Sequence, residues 1–108
     1  MSWRLSTFAT AVALFTVLAA ARPDAPKEHQ VAIRGMHFVP AQLTVHRGDK
    51  VRWTNEDLVP HTATASDKRF DSALIAPSAS WEWTASEKGQ IPYGCTVHPE
   101  MKGSVTVR

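Results

Sequence analysis

A single cysteine, Cys95, is all that the 108-residue chain carries, so no intramolecular disulfide can form. A small domain without that staple is held by its core, a metal or a partner. Long runs of like charge are also missing. The 12 Lys+Arg and 10 Asp+Glu are interspersed, which leaves no electrostatic footprint for a nucleic-acid backbone. There is no helix-length amphipathic run and no internal repeat, which argues against a bundle and against a solenoid. The length suits one domain.

The longest apolar run lies at the start. Arg4 supplies one positive charge, Leu5 to Leu18 is uncharged and mostly apolar, and Ala19, Ala20 and Ala21 follow. That order describes a secretory signal peptide cleaved after Ala21. The 17 uncharged residues between Arg4 and Arg22 fall short of the roughly 20 that cross a bilayer as a helix. Residues 1–21 are therefore expected to be a leader. The chain is expected to be periplasmic or otherwise exported, with no stable membrane association after cleavage. Residues 22–30 hold two prolines, four charges and almost nothing apolar, and are expected to form a flexible extension. The folded domain is then residues 31–108.

From Val31 onward the apolar residues recur with a period of two: Val31 and Ile33, Leu43 and Val45, Val51 and Trp53, Trp81 and Trp83, Val105 and Val107. This is the pattern of half-buried strands. Turn-forming clusters separate them at Pro40, Arg47-Gly48-Asp49, Asn55-Glu56-Asp57, Pro77-Ser78, Glu87-Lys88-Gly89 and Lys102-Gly103. Short strands so punctuated predict an all-β antiparallel sandwich or small barrel.

The chemistry gathers near the C-terminus, where Cys95, His98 and Met101 place a thiolate, an imidazole and a thioether at three-residue intervals. Side chains three apart on a straight strand point to opposite faces, so these converge only if the chain turns between them, and Pro99 favours that turn. The best fourth candidate is His61, after Leu58-Val59-Pro60 and 34 residues before Cys95. Taken singly, Cys95 and Met101 read as core residues and the histidines as hydrogen-bonded or surface groups. Together, on an exported chain with one unpaired thiol, they read as a metal site. Two imidazoles, one thiolate and a weak axial thioether make the ligand set of a blue-copper electron-transfer centre, whereas zinc prefers four firm ligands. His29 in the extension, and His37 and His46 at alternating strand positions, lack this context, and Met36 reads as core.

The runs Met36-His37-Phe38-Val39-Pro40, Leu43-Thr44-Val45, Gly48-Asp49, Val51-Arg52-Trp53-Thr54-Asn55, Pro60-His61-Thr62, Phe70-Asp71-Ser72 and Tyr93-Gly94-Cys95-Thr96-Val97-His98-Pro99-Glu100-Met101-Lys102-Gly103 resemble the cupredoxins, most nearly their amicyanin and plastocyanin-like branch. The resemblance covers Val31 to Arg108. It implies a Greek-key β-sandwich with one copper ion at one end, His61, Cys95 and His98 as strong equatorial ligands, and Met101 as the long axial one. Two departures stand out. Thr62 occupies the position after the first ligand histidine where many members carry asparagine, and the carboxylates Asp67, Asp71, Glu82 and Glu87 are dispersed rather than clustered into an acidic face.

This reading predicts an electron carrier with no substrate turnover of its own, cycling one copper ion between Cu(I) and Cu(II). A single small domain supplies no second copper centre for an oxidase. His98 is the expected port for electrons, within a small apolar docking patch used by weakly bound redox proteins, and the protein is expected to be a monomer. The alternative is a periplasmic copper-delivery or buffering protein, which further Met- or His-rich tracts would favour and which a single closed site does not.

Overall fold

The computed structural model describes residues 25–108 continuously, and residues 2, 7 and 9–14 before them. Most of the expected leader, and Arg22 to Asp24 of the expected extension, lie outside the described residues. Among the described residues there is no helix, and none long and apolar enough to cross a membrane.

Within the described residues, eight strands form two four-stranded sheets. They are β1 (Glu28–Arg34), β2 (His37–Val39), β3 (Gln42–Val45), β4 (Lys50–Asn55), β5 (Thr64–Ala65), β6 (Ser80–Thr84), β7 (Gly89–Gly94) and β8 (Lys102–Val107). One sheet has the order β2-β1-β4-β6 and the other β3-β8-β7-β5. The period-two pattern sets the inner faces: Val31, Ile33, Val45, Val51, Trp53, Ile91, Tyr93, Val105 and Val107 are buried between the sheets. Among the described residues Trp53 is the largest fully buried side chain, in ring contact with Phe70, Trp81 and Tyr93.

The structure corrects the sequence expectation in two places. The sheets are mixed rather than wholly antiparallel, because β1 runs parallel to β4 and β3 parallel to β8. After the β1–β2 hairpin the chain crosses to the other sheet as β3 and returns as β4 beside β1, entering the sandwich from the same end. Second, β1 begins at Glu28, three residues inside the span expected to be flexible, with Glu28, His29 and Gln30 opposite Lys50, Val51 and Arg52. Backbone pairing orders these residues, and it needs no apolar side chain to announce it.

The start of β1 is also pinned by Asp49, which is 3% exposed. Its carboxylate accepts bonds from the His29 ring at 2.9 Å, the Lys27 amide at 2.9 Å and the His46 amide at 3.0 Å. The His29 bond first, then the two amides, hold this carboxyl far below the usual carboxylate range. Since the folded-state pKa is depressed, the stabilisation is complete above the unfolded value of about 4 and is lost as pH falls below it. Urea unfolding at a series of pH values should show the wild type weakening below about pH 4, and Asp49→Asn should lower stability at neutral pH and flatten that acid slope. An unchanged slope would mean that Asp49 does not hold this end. His37 and His46 are exposed, as expected, and Met36 packs half-buried against the core.

Candidate metal centre

The ends of β4 and β7 and the start of β8 meet at the opposite pole from Asp49, and the loops between them carry the site. Asn55, fully buried at the end of β4, donates from its amide to the carbonyls of Val59 at 2.9 Å and Ile75 at 3.0 Å, and its Oδ1 accepts the Asp57 amide at 2.9 Å. One side chain thereby folds the 56–60 loop back on itself and delivers His61 inward. His61 and Ile75 then exchange backbone bonds of 3.2 and 2.7 Å, so the histidine backbone is held from both directions.

The 95–101 segment turns as the three-residue spacing requires. The Met101 amide donates to the His98 carbonyl at 3.0 Å and the Cys95 amide to the Met101 carbonyl at 3.4 Å, closing the loop. Gly94 permits that closure, since a Cβ there would lie 2.8 Å from the Met101 carbonyl oxygen.

His61, Cys95 and His98 come together at this end, the first two buried and the third half-buried. Cys95 Sγ lies 3.9 Å from His61 Nδ1 and 3.7 Å from His98 Nδ1, and the two Nδ1 atoms are 3.1 Å apart. A triangle with those sides has a point about 2.1 Å from every corner, the length of a metal–imidazole bond and slightly short of a metal–thiolate bond of about 2.3 Å. Met101, 2% exposed, closes the same loop. The donor set, one soft thiolate and two imidazoles with a buried methionine on the same loop, fits copper better than zinc.

Hydrogen bonds that need no metal hold the donors. The Thr62 amide donates to Cys95 Sγ at 3.3 Å, and the Thr62 hydroxyl accepts the Thr96 amide at 2.9 Å. Threonine at the position where asparagine is common therefore ties the His61 loop to the Cys95 loop by itself. One functional contact escaped the sequence reading: the far nitrogen of His61, Nε2, lies 2.9 Å from Asp57 Oδ2. Asp57 stood in a cluster marked only as turn chemistry, and the Asp-x3-His spacing was its one signal. Burial alone raises the Asp57 carboxyl, but the Met36 and Gly35 amides and the His61 ring outweigh it and hold the group below its ordinary range. The apolar rim is also wider than Leu58-Val59-Pro60. Leu58 and Leu74 are 93% and 63% exposed, and Val97 within the ligand loop is half exposed.

Comparison with known proteins agrees with this geometry. A model of the cupredoxin-like domain family matches residues 7–107. Amicyanin of Paracoccus versutus is 28% identical over 82 residues, an alignment spanning 71% of this chain and 62% of that protein. Amicyanin-alpha of Methylorubrum extorquens is 29% identical over 117 residues, 96% of this chain and 98% of that protein. A chloroplastic plastocyanin of Tetradesmus obliquus is 33% identical across 66% of this chain and 58% of its own length. Among solved structures, the Cu(I) form of an amicyanin point mutant superposes with a TM-score of 0.70 at 29% identity, covering 75% of this chain and 82% of that one. With its all-β sandwich and a thiolate and two imidazoles gathered at one pole for a single copper ion, the chain belongs to the cupredoxin-like family, in the amicyanin and plastocyanin branch.

Proposed function

We propose that this protein is a type 1 copper electron carrier that passes single electrons between redox partner proteins and turns over no substrate of its own. His61 Nδ1, Cys95 Sγ and His98 Nδ1 would hold the copper most firmly, with the Met101 thioether as a weaker fourth donor. The observation that carries the reading is the convergence of three donor atoms onto one point while separate hydrogen bonds hold each in place. A bound copper supplies the one-electron couple. The chain's own part is to keep His61 and Cys95 out of water and to resist rearrangement, so that neither oxidation state finds its preferred geometry and little movement accompanies transfer.

His98 is half-buried while His61 is fully buried, so the His98 ring is the edge through which electrons enter and leave. Leu58, Val59, Leu74 and Val97 surround that end as an apolar surface for weak docking, of the small kind that redox encounters use. The protein works as a monomer outside the cytoplasm after loss of residues 1–21. The copper-delivery alternative is not favoured, because a departing ion finds no second set of soft ligands among the described residues: Met36 is half-buried against the core and His37 lies exposed on β2.

A visible spectrum of the protein titrated with copper(II), then with a reductant, tests this. An intense thiolate-to-copper band that bleaches on reduction and returns on oxidation is expected. Met101→Leu should keep the band and shift the reduction potential, because a thioether is a weak donor to copper. A colourless or irreversibly reduced complex would sink the electron-carrier reading.

A further inference from the structure

The Asp57 carboxylate joins two parts of the molecule that the ligand set alone leaves unconnected. Oδ1 accepts the Gly35 amide at 2.7 Å, Oδ2 accepts the Met36 amide at 3.0 Å, and the same Oδ2 lies 2.9 Å from His61 Nε2. Gly35 and Met36 form the tight turn between β1 and β2, and both adopt positive φ, 58° and 64°. Met36 is not a glycine, so its left-handed conformation has a cost that the surroundings must offset. Two bonds from adjacent amides to one carboxylate offer that compensation and fix Asp57 in place. The side chain of Asp57 is 15% exposed and that of His61 0%, so the carboxylate acts on the ring through little water.

We infer that Asp57 is a positioning residue of the copper centre: anchored by the Gly35–Met36 turn, it holds the His61 proton on Nε2, presents Nδ1 to the metal and strengthens that nitrogen as a donor. The inference rests on the copper-carrier reading above. Two physical steps support it. A carboxylate accepting from a ring N–H fixes the tautomer and raises the basicity of the other nitrogen. An anion near the metal also favours the ion of higher charge, so Asp57 stabilises copper(II) over copper(I) and lowers the reduction potential. The turn thereby becomes part of the site although neither Gly35 nor Met36 offers a ligand in this arrangement.

The first test uses the metal-free wild type. Nitrogen-15 NMR of its histidine rings should show His61 protonated at Nε2 and bare at Nδ1. A proton resident on Nδ1 would overturn the inference. The second test is Asp57→Asn, which keeps the shape and removes the charge. With copper bound, its visible band should persist while copper(II) affinity falls about tenfold relative to copper(I), a rise of about 59 mV for a one-electron couple. Asp57→Glu should bring the potential back towards wild type. A purely structural role would instead lower the thermal midpoint and leave the potential unmoved, which would overturn the inference. If Asp57→Asn fails to fold, the wild-type tautomer together with the potential of Asp57→Glu decides. A wild type with no bleachable band would overturn the copper reading instead, and the ring tautomer of the metal-free protein would still decide whether Asp57 positions His61.

Discussion

Cys95→Ser should abolish the intense visible band of the copper-loaded protein entirely. That band requires a thiolate bonded to copper(II), and a serine hydroxyl offers a hard, protonated oxygen in its place. The substitution is close to isosteric, so the fold should survive it. Cys95 is 4% exposed, its backbone bond to the Met101 carbonyl does not involve sulfur, and the Thr62 amide can still donate to an oxygen. The loss should therefore appear in absorption while circular dichroism stays that of the wild type. Copper binding weakens at the same time, because two imidazoles and a thioether remain and the strongest donor has gone. An intense visible band in Cys95→Ser would refute the thiolate assignment, since the chain has no other cysteine.

The largest expected effect on stability belongs to Trp53→Ala. Trp53 has no exposed surface, and its ring stands 5.3 Å from Phe70, 5.5 Å from Tyr93 and 5.7 Å from Trp81. Its removal takes away the transfer free energy of a large aromatic ring and leaves a cavity that three other rings must shrink to fill. Such truncations cost about 3–5 kcal/mol, against a total of about 5–15 kcal/mol for an ordinary domain. Urea unfolding of the metal-free protein should give a correspondingly lower midpoint with the slope unchanged. Excess copper should recover part of the loss, because an ion that binds only the folded chain stabilises it by mass action. A cost below about 1 kcal/mol would mean that the two sheets close over the gap and that Trp53 is not the centre of the core.

How far each of these features could be read in advance follows from where its physical cause lies. Val51 and Trp53, or Val105 and Val107, announce strands because burial on one face of a pleat imposes alternation on the side chains themselves. Cys95, His98 and Met101 announce a turning loop because three-residue spacing cannot converge on a straight strand. In both cases the constraint acts between neighbours along the chain. The start of β1 at Glu28 left no such mark, since backbone bonds to β4 and the His29–Asp49 contact order Glu28, His29 and Gln30, and neither follows a pattern along the chain. The parallel pairing of β1 with β4 and of β3 with β8 was equally silent. A hydrophobic pattern says which face of a strand is buried, not which strand lies beside it or which way it runs.

The same division runs through the site. The chemical identity of the proposed donors, one thiolate with two imidazoles and a thioether, is a property of the chain, and with it came the metal and the kind of reaction. Their arrangement depends on partners that the chain brings near only by folding: Thr62 against Cys95, 33 residues away, His61 against His98, 37 away, and the Gly35–Met36 turn against Asp57, more than 20 away. The sequence by itself determined that this is an all-β domain with a copper-type ligand loop, because local periodicity and donor chemistry carry that much. Only the tertiary structure decided that Thr62 takes over the loop tie and that Asp57 holds the far side of His61, because a hydrogen bond between distant residues exists only once the loops that carry them have been placed.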